Sequence, residues 1–329
     1  MAAYNPVLES VRPVVEKSRD VSINMTRLKE VARGYSEGEL PVPDWRAPVF
    51  PSSTDRDTIA FLLLGNSINF AFSDIRTGVK YENEYQGIPF SGAFGMWAAL
   101  KRGLDNGVPI LDAKFLQGAS DRKLKSLFDG TAPMPMLFER ISILREVGKV
   151  LSEKYDSHFA NVVERSRNRA FNGGSGTVER LLRDFPSFDD HAWYGGRRVV
   201  FNKRAQLAVA MIQGRFLSEY EGGLFPRSDI DLLTVFADYE LPKTLNALGI
   251  LDYSNSLSER ISTGKTIWKG SPEEVEIRAN TIYAAKLIED EVNGLIGGGV
   301  NALNIDFRLW SEGRGFKDLK HHLTYTTAY

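Results

Sequence analysis

The chain has 329 residues, with 41 Lys or Arg residues against 42 Asp or Glu residues, so its net charge is −1 at pH 7. This near-neutral balance argues against a protein that coats nucleic acid, because such proteins usually present a basic face. The chain contains no cysteine, which excludes disulfides, thiolate nucleophiles and cysteine-based zinc sites. Its hydrophobic fraction of 43% is ordinary for a globular protein and is enough for a substantial core.

The apolar stretches are too short for a targeting or membrane segment. The start of the chain has no apolar run of signal-peptide length. The longest apolar stretch, 59–72, is interrupted by Gly65, Asn66 and Ser67, and it is too short and too polar to span a bilayer. We therefore expect a cytoplasmic protein.

The first part of the chain predicts helix followed by a small sheet. Apolar and charged residues alternate at helical spacing over 6–35, and a proline-rich turn follows at 40–51. The runs 58–64 and 68–72 are apolar and strand-like, with a polar break between them. The run 79–90 is also extended, with a turn near its end, so we expect a small antiparallel sheet here.

Beyond residue 91 the spacing of apolar residues is helical. The predicted helices cover 93–106, 121–129, 136–155, 158–171, 177–183, 203–220, 228–239, 242–250, 256–262, 272–293 and 301–311. The expected fold class is therefore mainly α with a small antiparallel β-sheet. We expect one globular protein over 1–329, with possible sub-lobes at about 1–130 and 131–329.

Asp238 stands out because its predicted position is unfavourable for an anion. Pro242 disfavours helix at Leu241, so the predicted helix from Ser228 should end near Tyr239. Asp238 then lies at the carboxyl end of a helix, behind a strongly apolar run, where negative charge is disfavoured. Active sites hold such residues. The alternative is that Asp238 caps the following helix.

Asp306 lies in a segment that is apolar on nearly all sides. Leu303, Phe307 and Trp310 share one helical face with it. A buried carboxylate must be hydrogen-bonded, paired or functional. Asp306 is therefore either a catalytic candidate or a core residue that pairs with Arg or Lys.

Lys203 is predicted in the first turn of a helix, where a positive charge opposes the helix dipole. With Arg204 and the preceding Arg197 and Arg198 it forms a modest basic cluster, which suits either a substrate phosphate or a solvated surface. By contrast, Asp229 and Asp231 fit a capping arrangement at a helix start.

Other motifs lack the residues that their chemistry requires. The sequence at 263–266 resembles the end of a phosphate-binding loop, but Glu259 replaces the earlier glycine. The four histidines do not have metal-ligand spacing, so we expect no metal and no other cofactor. Most aromatic residues should form core, although some, including Phe50, Phe236 and Tyr239, could stack on a base.

These residues belong to a longer series of short motifs, and together the order and spacing of the motifs resemble the queuosine salvage proteins. The series comprises INFAF at 68–72, FSG at 90–92, MPM at 134–136, ER at 139–140, KRAQ at 203–206, FADY at 236–239, EVEIR at 274–278 and LW at 309–310. The resemblance runs through nearly the whole chain and assigns the family's ligand-contacting lysine and two aspartates to Lys203, Asp238 and Asp306.

The resemblance implies an N-glycosidase that releases queuine from queuosine 5′-phosphate, with a fold similar to the helical, helix-hairpin-helix DNA glycosylases. It implies no metal or organic cofactor. Asp306 and Asp238 are then the catalytic candidates. The substrate-binding candidates are Lys203, Phe236, Tyr239, Phe307, Trp310 and Phe50.

Two other functions remain open at this point. One is a glycosylase that excises bases from DNA, and the other is a non-catalytic module that binds nucleic acid. Both should carry a basic groove, which the net charge of −1 disfavours. We therefore expect a small modified nucleotide as the partner, no stable nucleic-acid or membrane binding, and a monomer.

Overall fold

The computed structural model describes residues 5–329, and this part of the chain is mainly helical with small antiparallel sheets. In chain order the elements are α1 Pro6–Val15, β1 Val21–Ile23, α2 Met25–Ser36, α3 Arg56–Ser67, β2 Glu82–Tyr85, β3 Ile88–Ser91, α4 Ala93–Asp105, α5 Ala113–Gly118, α6 Asp121–Ser126, α7 Leu137–Lys154, α8 Asn161–Arg165, α9 Thr177–Asp184, β4 His191–Tyr194, β5 Arg197–Val200, α10 Lys203–Phe216, α11 Arg227–Ile230, α12 Glu240–Ala247, β6 Leu251–Tyr253, α13 Asn255–Ser262, α14 Pro272–Ile296 and α15 Ala302–Gly313. The predicted fold class is confirmed.

The chain divides into two compact units that alternate along the sequence, so neither is one continuous stretch. The first unit comprises 1–43, 190–206 and 228–325, and the second comprises 44–189, 207–227 and 326–329.

The first unit is organised around the long, largely buried helix α14, against which α1, α2 and α15 pack. Ser271 caps this helix by accepting the Glu274 backbone N–H, and Pro272 occupies its first turn, where no backbone donor is needed. Gly297, with a φ of 84°, ends it in the left-handed conformation that glycine adopts without strain. In the same unit β1 pairs antiparallel with β6, and β4 pairs with β5.

In the second unit, the predicted hairpin in 79–90 is present as β2 and β3, with Gln86 and Gly87 at the turn.

The predicted strand at 58–64 is wrong, because these residues belong to helix α3. Asp55 caps α3 at the Thr58 N–H, and every residue from 58 to 67 is buried. A helix buried on all sides has no polar face, so its apolar run looks like a strand in the sequence. The predicted strand at 68–72 is also absent.

Among the predicted helices, three differ most from the structure. The segment 6–35 contains strand β1 between two helices, and the segment 158–171 is helical only in α8, which is followed by left-handed Arg167 and Asn168. The predicted helix 228–239 reduces to α11. In the segment that follows α11, the backbone N–H of Thr234 donates to the Gln206 side chain. The backbone N–H of Phe236 donates to the Asp306 side chain. These tertiary hydrogen bonds replace those of a helix.

Candidate active site

The start of α10 places Lys203 inside the first unit. The residue is only 5% exposed. Its backbone N–H donates to Asp190 at 3.0 Å, and its ammonium Nζ lies 3.7 Å from Asp238 Oδ2. Burial lowers the pKa of Lys203, while the negative charges of Asp238 and Asp306 oppose that shift. Lys203 is therefore a buried amine in contact with Asp238, and the charges of both carboxylates favour its ammonium form.

Asp238 lies in irregular backbone directly before α12, and not at the carboxyl end of a helix as the sequence predicted. One carboxylate oxygen, Oδ1, accepts the Glu240 backbone N–H at 2.8 Å, while Oδ2 faces Lys203. Asp238 therefore accepts a backbone N–H at the start of α12, which is the alternative role expected from the sequence, and it also contacts Lys203. Burial raises the pKa of Asp238, and the charge on Lys203 opposes this effect.

Asp306 lies in the middle of α15, whose start is capped by Asn301. Its Oδ2 accepts the Phe236 backbone N–H at 2.8 Å, which is a different contact from the expected pairing with Arg or Lys. Burial raises the pKa of Asp306 to about 7. The hydrogen bond from Phe236 and the charge on Lys203 oppose this rise, while the charge on Asp238 adds to it.

The three charged groups form one electrostatic unit, since each acts on the protonation of another. The Lys203 ammonium contacts Asp238 directly, and its charge also acts on Asp306. A pKa of about 7 lets Asp306 exchange a proton near neutral pH. Such a group can act as a general base, or as an anion beside a developing positive charge.

Aromatic side chains flank these charged residues. Phe236 is buried and lies two residues before Asp238. The Tyr239 ring stacks on the His321 imidazole, with ring centroids 4.4 Å apart. On α15, the rings of Phe307 and Trp310 stack with centroids 6.1 Å apart.

Phe50 lies in the second unit, unlike the other candidate residues. It is only 4% exposed. Its ring packs against Trp45, Phe94 and Trp97 at centroid distances of 5.2 to 6.1 Å. These contacts make Phe50 part of an aromatic core.

The basic cluster expected from the sequence separates into two environments. Lys203 and Arg204 are buried, whereas Arg197 and Arg198 on β5 are exposed. Asp231 accepts a hydrogen bond from the Asn301 side chain that caps α15.

Sequence reasoning did not single out three residues that contact the site. His321 stacks on Tyr239, and Asp190 binds the Lys203 backbone. Arg278 forms a buried ion pair with Asp190. Arg278 belongs to one of the quoted motifs, and a buried arginine requires a partner. No local pattern marks His321 or Asp190, because their contacts come from distant parts of the chain.

Within residues 5–329, no cluster of three or more His, Asp or Glu side chains has the arrangement of a metal site. No helix in this range is long and apolar enough to cross a membrane.

The first unit thus brings two carboxylates, a buried lysine and aromatic side chains together on a helical scaffold, and paired carboxylates are groups that hydrolysis of a glycosidic bond can use. The family model described as "Queuosine salvage protein" matches residues 49–329. The chain belongs to the queuosine salvage protein family.

Curated relatives match nearly the full length of the chain, and each is named queuosine 5′-phosphate N-glycosylase/hydrolase. A protein of Sphaerobacter thermophilus is 33% identical over 98% of this chain and 97% of its own. A Mus musculus protein is 33% identical, and one of Schizosaccharomyces pombe is 30% identical, each over 94% of this chain and 93% of its own.

Proposed function

We propose that the chain hydrolyses the N-glycosidic bond of queuosine 5′-phosphate and releases queuine and ribose 5-phosphate for queuine salvage. The observation that carries this proposal is the convergence of Lys203, Asp238 and Asp306 in one unit, with an ion pair between the first two. The activity in the names of the full-length relatives supports the same reaction.

In this proposal Asp306 acts at the anomeric carbon. Cleavage of an N-glycosidic bond develops positive charge on the ribose, which an ionised carboxylate stabilises. Because the pKa of Asp306 is raised to about 7, the residue is partly ionised at neutral pH, and a developing cation favours its ionised form. The hydrogen bond from the Phe236 N–H holds one carboxylate oxygen in place.

Asp238 orients the attacking water or the departing base. Its Oδ1 is already bound to the Glu240 N–H, so Oδ2 is the oxygen available for this role. Lys203 faces that oxygen at 3.7 Å and supplies the positive charge that keeps Asp238 ionised despite its burial. The same ammonium is the proposed substrate contact.

The aromatic residues supply the surface for the base. We assign Phe236 and Tyr239 to packing against the deazapurine, and Phe307 and Trp310 to the substrate pocket. A base contact by Phe50 remains a prediction from the sequence. Base–aromatic stacking contributes about 1–3 kcal/mol per base, so stacking on these rings adds affinity for the base.

The remaining assignments also belong to the proposal. The chain works as a single cytoplasmic enzyme over 1–329, as a monomer, without a cofactor and without stable nucleic-acid or membrane binding. Its helical composition supports a likeness to the helix-hairpin-helix DNA glycosylases.

The direct test is to incubate the purified protein with queuosine 5′-phosphate and to detect free queuine by mass spectrometry. Glu276→Gln is a matched control for loss of a buried carboxylate, because Glu276 accepts hydrogen bonds from the Arg19 and Asp20 backbone and from Tyr194 and contacts none of the three site residues. The proposal requires release of queuine by the wild type and by this control. Absence of queuine would refute the assigned reaction.

The pH dependence tests the role of Asp306. If its ionised form is needed, kcat/KM should rise with pH through about 7, since this parameter reports the free enzyme. In Asp306→Asn the residual activity should lack this rise. If kcat/KM instead falls as the pH rises through about 7, the protonated form of Asp306 is the active form, and the residue acts as a general acid.

A further inference from the structure

A buried ion pair lies directly behind the proposed site. Arg278 on α14 donates from Nη1 and Nη2 to the two carboxylate oxygens of Asp190, at 2.8 and 2.7 Å. The two residues are 2% and 4% exposed. The Arg278 guanidinium also covers the Phe201 ring at 3.9 Å, which restricts its tilt. This two-point contact fixes distance and orientation together.

Each member of the pair also holds a backbone group of the site. Asp190 Oδ2 accepts the N–H of Lys203 at 3.0 Å, where α10 begins. Arg278 Nε donates to the carbonyl oxygen of Ala237 at 3.2 Å. Ala237 lies between Phe236, which donates to Asp306, and Asp238, which faces Lys203. One ion pair therefore connects the backbone of the lysine to the segment that holds both carboxylates.

We propose that Asp190 and Arg278 are positioning residues, which set the separation of Lys203 from Asp238 and aim the Phe236 N–H at Asp306. This inference rests on the proposed function. Neither residue has to touch the substrate. A buried ion pair is a weak source of stability, because desolvation offsets the attraction, so its main effect here is on geometry.

Arg278→Lys tests this role with the charge retained. Lysine lacks the planar fork and cannot bind both oxygens of Asp190 and the Ala237 carbonyl in the same geometry. A displacement of about 1 Å can cost about a hundredfold in rate, so kcat should fall by at least about tenfold, while KM changes by less than about threefold. Asp190→Asn, which loses the carboxylate charge, should show the same pattern.

The pH profile separates positioning from a purely structural role. The hydrogen bond from Phe236 opposes the rise in the pKa of Asp306. If Arg278→Lys loosens the 236–238 segment, that bond weakens, and the midpoint of the kcat/KM profile should move to higher pH. A change that only lowers stability leaves the midpoint of the folded enzyme in place.

Glu276→Gln is the matched control, since Glu276 is a buried residue on the same helix, two positions before Arg278. All variants are assayed well below their melting temperatures, per folded protein measured by circular dichroism. Lower kcat and a shifted midpoint in Arg278→Lys or Asp190→Asn, with Glu276→Gln near wild type, support the proposal. It is overturned if the folded variants match Glu276→Gln in both measurements. An inactive wild type would instead refute the proposed function.

Discussion

Removing the charge of Asp306 should stabilise the protein at neutral and alkaline pH. The pKa of this carboxyl is raised from 3.8 to about 7, chiefly by burial. The folded protein therefore holds the Asp306 proton at pH values where the unfolded chain has lost it. The free energy of unfolding should therefore fall as the pH rises from about 4 to about 7. Above that range, the contribution of Asp306 to the free energy of unfolding should stay constant.

The size of the effect follows from the difference between the two pKa values. Each tenfold change in a protonation equilibrium corresponds to about 1.4 kcal/mol, so ionised Asp306 destabilises the fold by at most about 4 kcal/mol. Asp306→Asn keeps an oxygen that can accept the Phe236 N–H and removes the charge. The variant should match the wild type at about pH 4 and exceed its stability by up to about 4 kcal/mol at about pH 8.

Urea unfolding of both proteins across this pH range measures the difference directly. Comparing variant with wild type at each pH cancels the titration of all other groups. Glu276→Gln is the control for removing another buried carboxylate, since Glu276 accepts hydrogen bonds from the Arg19 and Asp20 backbone and from Tyr194. A difference between Asp306→Asn and wild type that stays flat with pH would refute the raised pKa and the reasoning from burial.

Four further predictions concern activity and binding. Asp238→Asn and Asp306→Asn should each lower turnover by at least about a hundredfold, and near-wild-type turnover in either folded variant would contradict that residue's role. Chelation of divalent metals should leave activity unchanged, because the cation opposite Asp238 is Lys203 and the carboxylates bind backbone donors; loss of activity restored by one metal would oppose this. Binding to duplex DNA at physiological salt should be weaker than about micromolar by fluorescence anisotropy. Finally, queuosine 5′-phosphate should have a specificity constant at least about a hundredfold above that of queuosine, since charge-assisted contacts to a phosphate contribute about 3 kcal/mol, and equal constants would place the phosphate in solvent.

The different burial of the arginines near Lys203 bears on the last prediction. Arg204 is buried next to Lys203, whereas Arg197 and Arg198 are exposed on β5. A dianion needs several donors when it leaves water, and Lys203 and Arg204 are two buried basic residues that can supply them. Arg198→Gln should therefore have less effect on the preference for the phosphate than Arg204→Gln.

The sequence by itself determined the family and the mainly helical fold class, and it predicted the candidate site residues. The apolar sequence of α15 predicts that Asp306 is buried. Local motifs pointed to Lys203 and Asp238 as candidates, even though the helix predicted before Asp238 is reduced to α11. Those properties depend on residue type and short-range spacing. Tertiary structure alone decided that α3 is a helix, because burial on all sides removes its polar face. It also decided how Asp190, Arg278 and His321 meet the site, since contacts between residues far apart in the chain leave no local pattern.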